Sequence, residues 1–252
     1  MNQLSIEQYV DLSSPIHKLD TRFKIIGIFI LIFSIAFVTK LAIMTVILCL
    51  SIIVALISRL PLLFILKRLK LPSVLIFVVA LLTLFFSNGS ALIMVGPFII
   101  TKEGLSAFLL IIIRFISIII LMVILFATTP FSRLLQAMRT LGVPALLCDM
   151  MLFSYRYIFE LWEEFRTMKT AMNMRGFKEK GLRSLKTWSL LTGTLFIRSY
   201  EQSERVYHAM TMRGYGHAPI RKDDFVASLA DYTWLVLFIF ISSMILISQF
   251  FI

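Results

Sequence analysis

Long apolar runs separated by short polar clusters dominate the pattern of this sequence. Five of these runs approach the length of about 20 residues that an α-helix needs to cross the hydrocarbon core of a bilayer. Only Thr39 and Lys40 separate the first two, which together are too long for one crossing, so we expect a tight helical hairpin there. The pattern predicts membrane-spanning helices at residues 23–38, 41–57, 71–86, 106–128 and 232–252.

A shorter apolar stretch lies between the third and fourth predicted spans. It covers residues 91–100 and is interrupted by Gly96 and Pro97, a pair typical of turns. Because this stretch is too short to cross a bilayer, we expect an interfacial or re-entrant loop.

The segment from residue 131 to residue 224 has a different pattern, which is neither lipid-like nor disordered. Apolar residues recur near helical spacing over residues 145–174 and again from about 185 to 212, with charged residues on the opposite faces. Glu201 and Arg205 stand four residues apart in the order that stabilises a helix. Amphipathic helices of this kind lie along a membrane surface or bind a partner. The pattern therefore predicts long cytosolic helices between the fourth and fifth spans.

The composition supports a membrane protein. The chain has 252 residues, of which 59% are hydrophobic and 15% charged, and its mean hydropathy is +0.92. A soluble domain of this length would need more polar surface to cover its core. Acidic side chains precede the first apolar run and no small-residue cleavage site follows it, so we expect that run to remain a span rather than a signal peptide.

Lys and Arg residues are distributed unevenly among the predicted loops. The N-terminal segment, residues 58–70 and residues 131–224 are basic, whereas the other two connections carry only Lys40 and Lys102. Cytoplasmic loops accumulate Lys and Arg, so we expect the N-terminus and residues 131–224 in the cytosol of a bacterial cell and the C-terminus outside. The same rule accounts for the net charge of +11 without nucleic-acid binding.

One heptapeptide occurs twice within the segment 131–224. Residues 171–177, Ala-Met-Asn-Met-Arg-Gly-Phe, return at residues 209–215 as Ala-Met-Thr-Met-Arg-Gly-Tyr. Each copy ends one predicted helix, where glycine tolerates the left-handed conformation and arginine complements the helix dipole. The guanidinium fork also suits recognition of a partner's carboxylates. The candidate partner-binding residues are Ala171, Met174, Arg175, Gly176, Ala209, Met212, Arg213 and Gly214.

Three interpretations of this duplication remain open. Either copy alone is consistent with an ordinary helix end. A symmetric pair also suits binding to two similar surfaces, such as those of a nucleotide-hydrolysing dimer, with the methionines as adaptable apolar contacts. A copper site is the third interpretation, although no His or Cys converges on its candidate ligands Met172, Met174, Met210 and Met212.

Motifs and residue types that the sequence lacks limit the reactions and transport mechanisms that this chain could carry out by itself. The sequence has no G-x-x-x-x-G-K-[ST] loop, so ATP would have to be bound by another chain. The five predicted spans contain no Asp, Glu or His, which a self-sufficient cation transporter normally needs. Arg114, the only charge deep in a span, either snorkels or pairs with a neighbouring subunit. We expect Cys49 to be a small buried hydrophobe, and we expect this chain to hold no metal.

The paired Arg-Gly helix ends resemble the Ala-Arg-Gly coupling motifs of the transmembrane T component of energy-coupling-factor (ECF) transporters. Met stands directly before each Arg, where that family usually has a small residue. Further similarity to the family, and to its cobalt-type CbiQ branch, lies in residues 15–24, Arg114, residues 128–131, 141–144, 154–159 and 204–207. The resemblance implies an all-α integral membrane protein with about five spans and long cytosolic coupling helices.

The resemblance also implies a non-catalytic subunit of an ATP-driven cobalt uptake transporter. Two CbiO-like ATPase subunits would bind ATP and Mg and pass their motion through Arg175 and Arg213. The motion would reach a CbiM-like substrate-binding membrane subunit, with or without a CbiN-like companion, which would hold the cobalt. This chain itself would bind no cofactor. The same role for nickel or a vitamin, an independent secondary transporter and a membrane anchor without transport are the alternatives.

Overall fold

The structure is a computed structural model that describes residues 14, 16–17, 19–86, 91–95, 98–177, 182–215 and 228–251. This part of the chain forms eight helices and one two-stranded hairpin. In chain order they are α1 (Thr21–Phe37), α2 (Leu41–Ile57), α3 (Leu62–Phe86), β1 (Ala91–Val95), β2 (Phe98–Thr101), α4 (Lys102–Ala127), α5 (Phe131–Thr140), α6 (Ala145–Met174), α7 (Leu182–Met212) and α8 (Leu229–Phe251).

The described residues divide into two compact units. The first contains the elements up to Leu141 together with α8, and the second contains α6 and α7. In the first unit, apolar residues of α1, α2 and α4 form the main core, with Leu31, Ile35, Met44, Ile47 and Leu121 almost completely buried. Lipid tails are as apolar as these side chains, so close van der Waals packing of this kind holds the helices of the bundle together.

Helix α8 lies parallel to α1. Near their starts, the backbone N–H of Asp20 donates to the buried carboxylate of Asp231 at 2.8 Å. Near the middle, the Ser34 hydroxyl donates to the Ser242 carbonyl at 3.2 Å. A Cβ at Gly27 would stand 2.4 Å from the Phe238 ring, so the absence of a side chain permits this close approach.

Helix α4 lies antiparallel to α1. The buried Lys24 Nζ, near the start of α1, donates to the hydroxyls of Thr128 and Thr129 at 3.2 and 3.0 Å, just beyond the end of α4. At the other end of α1, the Arg114 guanidinium donates to the Val38 carbonyl. These two contacts hold both ends of α1 against α4.

The predicted spans correspond to helices, with one substantial difference in bounds. Helix α2 has the predicted limits, whereas α3 begins at Leu62 instead of residue 71 and so includes three basic residues. Its two parts, Leu63–Lys70 and Pro72–Phe86, meet at an angle of 61°. Proline removes a backbone donor and clashes with the preceding turn, which bends a helix without ending it. Helices α4 and α8 also begin earlier than predicted, so that Glu103 lies in α4 and Asp231 in α8.

Two of the described helices are long and apolar enough to cross a membrane, Lys102–Ala127 and Leu229–Gln249. The bent pair that forms α3 would be a third span if its two parts cross together. Helix α2 is a shorter apolar helix. The chain therefore has the character of a membrane protein, while the number of five spans stays a prediction.

Strands β1 and β2 form a short hairpin within the stretch for which an interfacial or re-entrant loop was expected, and the rest of the described secondary structure is helical, as predicted. Strands β1 and β2 pair antiparallel, with Val95 opposite Phe98 and Ile93 opposite Ile100. Only two residues separate the strands in sequence, a length that suits a hairpin. Pairing satisfies backbone N–H and C=O groups that an irregular apolar segment would leave without partners.

The prediction that Cys49 is buried is wrong, because the structure places this residue on the exposed side of α2. An apolar run in a protein that faces lipid has apolar residues on all sides, so hydrophobicity does not distinguish the core from the outer surface. Phe33, Val46 and Ile53 are similarly exposed.

In the second unit, α6 and α7 form an antiparallel hairpin. Helix α6 has the predicted bounds and α7 begins three residues before the predicted start. Arg198 of α7 donates to Glu164 of α6 at 3.0 Å, and Tyr215 donates to Asp149 at 2.9 Å. The start of α6 therefore lies beside the end of α7, as an antiparallel pair requires.

Candidate functional site

The first copy of the duplicated motif forms a Schellman helix end. The backbone N–H of Gly176 donates to the Asn173 carbonyl at 3.0 Å, and that of Phe177 donates to the Met172 carbonyl at 3.3 Å. Gly176 has a φ of +82°. These two hydrogen bonds and the left-handed residue between them define the motif.

The second copy repeats this geometry. Gly214 donates to the Thr211 carbonyl at 2.9 Å, Tyr215 donates to the Met210 carbonyl at 3.0 Å, and Gly214 has a φ of +80°. Because both copies end their helices in the same way, the sequence repeat is also a structural repeat. The prediction that each copy is a helix C-terminus with a left-handed glycine is confirmed.

The side chains before each glycine point into open space. Met174 and Met212 are 86% and 90% exposed, although methionine normally fills apolar cores. Arg175 and Arg213 are exposed as well. The small residues one turn earlier, Ala171 and Ala209, are also exposed, so the described part of the hairpin leaves both motifs accessible.

The two arginines differ from others on the same hairpin in their partners. Arg198 forms a salt bridge with Glu164, and Arg205 lies 4.0 Å from Glu201. Within the part of the chain that the structure describes, neither Arg175 nor Arg213 has a carboxylate partner. Among the described residues, neither guanidinium fork is occupied by a carboxylate.

Each motif borders a groove between the two helices. The first groove has a volume of about 570 Å³ and is bordered by Ala171, Arg175 and Gly176 together with Leu190 and Thr194 of α7. The second groove, of about 660 Å³, is bordered by Met210 and Tyr215 together with apolar residues of α6, namely Leu146, Phe153, Tyr157, Ile158 and Leu161. Each groove thus combines the end of one helix with the face of the other.

Stacked aromatic rings connect the first motif to α7. The Phe165 and Trp188 rings stack with their centroids 6.1 Å apart, and Phe177 meets Trp188 edge-on at 6.2 Å. Lys169 Nζ lies 5.3 Å from the Trp188 centroid, within cation–π range. We call these four residues the aromatic brace, and it fixes the end of α6 relative to the start of α7.

The second motif is held by a polar contact instead. The Tyr215 hydroxyl donates to Asp149 near the start of α6. Sequence reasoning identified neither Asp149 nor Trp188 as part of the site. One feature of the sequence could have indicated these contacts, namely the aromatic residue directly after each glycine, Phe177 or Tyr215. A residue at that position of a helix end normally packs back against the helix.

The hairpin separates the four methionines of the alternative copper site into two pairs. Met172 and Met174 lie at the end of α6, beside the first half of α7, whereas Met210 and Met212 lie at the end of α7, beside the start of α6. Helix α6 has 30 residues and is about 45 Å long, so the pairs stand near opposite ends of the hairpin. One copper ion could therefore not contact both pairs of methionines.

These observations define a class of protein, an α-helical membrane protein that carries a polar helical hairpin with two equivalent, exposed ends. Residues 12–223 match the family described as cobalt transport protein, CbiQ, and the chain belongs to this family. The family resemblance inferred from the sequence is therefore confirmed.

Several named relatives share most of the chain. It is 31% identical over 226 residues to the energy-coupling factor transporter transmembrane protein EcfT of Bacillus selenitireducens, covering 85% of this chain and 84% of the relative. It is 30% identical over 247 residues to EcfT of Heliobacterium modesticaldum, covering 92% of each chain. EcfT of Bacillus subtilis is 28% identical over 231 residues, covering 85% of this chain and 86% of the relative.

Proposed function

We propose that this chain is the transmembrane coupling subunit of an ATP-driven ECF-type uptake transporter. In this role it carries no catalytic residue and transmits motion from partner ATPases to a separate substrate-binding membrane subunit. The names of its relatives, which describe a transmembrane protein of an energy-coupling factor transporter, support the general role.

The observation that carries the coupling mechanism is the structural repeat at the ends of α6 and α7. Two Schellman ends each present an exposed Met-Arg-Gly, and neither arginine has an acceptor in the described part of the hairpin. Two equivalent ends suit two similar ATPase surfaces, whose carboxylates would accept from Arg175 and Arg213. The exposed methionines would supply adaptable apolar contact around each ion pair.

The parallel arrangement of α1 and α8 supports the proposed topology. With the N-terminus in the cytosol, alternating spans would take both α1 and α8 from inside to outside, and α4 from outside to inside. Contacts at both ends of α1 agree with these directions. The hairpin of α6 and α7 would then be cytosolic, and the C-terminus would be outside.

Cobalt is the proposed cargo because the family is described as cobalt transport protein. A CbiM-like subunit, with or without a CbiN-like one, would hold the ion, and CbiO-like subunits would hold ATP and Mg. Nickel or a vitamin remains an alternative cargo, since a different chain would select it. An independent secondary transporter is the less favoured alternative, because Glu103 of α4 and Asp231 of α8 both lie in the first turn of their helices and Asp231 already accepts from two backbone N–H groups.

The decisive experiment is co-purification of the tagged full chain from its native membrane. Wild type should retain an ATPase and a small membrane subunit that binds divalent cobalt. The double variant Arg175→Glu/Arg213→Glu should reach the membrane normally and lose the ATPase. Each ion pair, if desolvated at the interface, contributes about 2–5 kcal/mol, so the double change should weaken binding far more than either single change.

Arg205→Glu is the matched control. It reverses an equally exposed charge on α7, eight residues before Arg213, and it should leave the ATPase bound. Equal loss with the control would mean that net charge alone matters. Recovery of the wild-type chain without any ATPase would contradict the coupling role.

A further inference from the structure

The first part of α3, Leu63–Lys70, and the turn before it form a basic segment that the coupling role does not use. No acidic residue occurs in the sequence between Asp20 and Glu103, so nothing nearby along the chain offsets this charge. The segment has four basic side chains, Arg59, Lys67, Arg68 and Lys70.

Helical spacing divides Leu63–Lys70 into an inner and an outer face. On the inner face, Ile65 is buried in an apolar cluster with Ala55 of α2 and Ala127 of α4. Residues three or four apart share one side of a helix, and the outer face follows this spacing. Its members, all exposed, are Leu63, Leu66, Lys67 and Lys70. The outer face therefore combines two apolar side chains with two cations.

The contacts of Ile65 place this segment at the end of the bundle where α2 and α4 finish. In the proposed topology this end is cytosolic. Pro72–Phe86 rises about 22 Å along its axis, and Leu63–Lys70, inclined to it at 61°, adds only about 6 Å in that direction. Because hydrocarbon is about 30 Å thick, a bilayer crossed by Pro72–Phe86 would have its headgroup boundary at Leu63–Lys70.

The backbone at Arg59 is an independent indication that a cation is required here. Arg59 has a φ of +55° and is the only non-glycine residue with a positive φ among those that the structure describes. Its N–H donates to the Leu56 carbonyl at 3.0 Å, as at the end of a helix. Glycine or asparagine adopts this conformation at lower energetic cost. An exposed arginine therefore stands where the backbone favours a residue without charge.

The cations of this segment have no anionic partner within the described chain. Neither Arg59 nor Lys67 nor Lys70 has a carboxylate of the described residues within ion-pair distance. Arg68 instead lies over the Phe64 ring, with its guanidinium carbon 5.5 Å from the ring centroid. Charge complementarity therefore calls for an anion from outside the chain, at the depth of the lipid headgroups.

We infer that the outer face of Leu63–Lys70, together with Arg59, binds the headgroups of anionic phospholipids. Leu63 and Leu66 would lie at the acyl boundary, and the lysine ammonium groups would reach the phosphates, as on amphipathic helices that lie in a membrane interface. This inference requires that α3 crosses a membrane but not that α6 and α7 bind an ATPase. Its failure would therefore leave the coupling role standing, and the reverse is also true.

The test is native mass spectrometry of the full chain, delipidated in mild detergent and titrated separately with phosphatidylglycerol and with zwitterionic phosphatidylcholine. Wild type should bind phosphatidylglycerol more tightly. Lys67→Gln/Lys70→Gln should weaken that binding roughly 25-fold, about fivefold for each charge, and leave phosphatidylcholine binding and the melting temperature unchanged. Lys67→Arg/Lys70→Arg keeps both charges and should keep the preference.

Arg59→Gly separates the charge of Arg59 from its backbone conformation. Glycine fits a φ of +55°, so this variant should bind phosphatidylglycerol about fivefold more weakly without a lower melting temperature. A variant with unchanged lipid affinity would show that Arg59 is not part of the surface.

Lys40→Gln/Lys102→Gln provides the matched control. It removes the same charge from the starts of α2 and α4, at the opposite end of the bundle, and should weaken binding less than about fivefold. Equal affinity of wild type for the two lipids, or an equal loss in the two Gln double variants, would overturn the inference. So would a Lys67→Gln/Lys70→Gln chain that keeps phosphatidylglycerol but loses a co-purifying membrane protein, because the face would then bind protein.

Discussion

The left-handed glycine of each motif allows the role of helix-end geometry to be measured without altering any contact. A Cβ at Gly214 would meet no atom within 4 Å, so Gly214→Ala changes only the backbone energy at a φ of +80°. An alanine in that conformation is disfavoured by about 1–2 kcal/mol. We therefore expect Gly214→Ala to destabilise the helix end of the second motif by this amount, so that a larger fraction of molecules lacks the native helix end.

Gly193 offers a control on the same helix. It lies inside α7, where a Cβ would also meet no atom within 4 Å, but its backbone is helical. Gly193→Ala should stabilise α7 by about 1 kcal/mol, because alanine is the better helix former. The two substitutions add the same methyl group and should differ in stability by about 2–3 kcal/mol.

The assay compares thermal unfolding of the purified full chain by circular dichroism with its affinity for the proposed partner ATPase. Gly214→Ala should lower both, and Gly214→Asn should restore part of each because asparagine tolerates the left-handed region. If ATPase binding requires the native helix end, a destabilisation of that end by about 1–2 kcal/mol corresponds to roughly a 5- to 30-fold loss of affinity. The reasoning would be refuted if both alanine variants changed stability in the same direction.

Two other contacts give predictions of defined size. Trp188→Ala removes both ring contacts of the aromatic brace and should destabilise the hairpin by about 1–3 kcal/mol, seen as faster limited proteolysis, whereas Tyr200→Ala at an exposed position of α7 should have little effect. Gly27→Ala should lower the melting temperature in detergent by overpacking worth about 1–3 kcal/mol, and adding Phe238→Ala should recover part of that loss. An additive double variant would show that the two residues do not clash.

The helices and the motif were predictable because their signals are local. Apolar runs gave the limits of α2 to the residue, and Pro144 followed by helical spacing gave those of α6. The left-handed glycines followed from two Arg-Gly pairs at helix ends. Such features depend on neighbours within a few residues, which one sequence contains in full.

The contacts that assemble the site depend on distant residues, and the sequence alone did not indicate them. Asp149 and Tyr215 are 66 residues apart, and each is unremarkable in its own segment. The sequence alone also did not show which apolar residues are buried, and Cys49 is an example. In an apolar chain, both the face of a helix that packs in the core and the face toward lipid are hydrophobic. Pairing between helices must be known before a residue on such a chain can be assigned to either face.

The two motifs are alike in backbone but differ in what holds them, and this difference has a physical consequence. The aromatic brace fixes the end of α6 through ring contacts that are insensitive to salt, whereas the contacts at the end of α7 include an exposed hydrogen bond from Tyr215 to the carboxylate of Asp149. Salt screens interactions of exposed charges, so high salt should weaken the end of α7 more than the end of α6. The two ends should therefore respond differently to ionic strength even though their sequences are nearly identical.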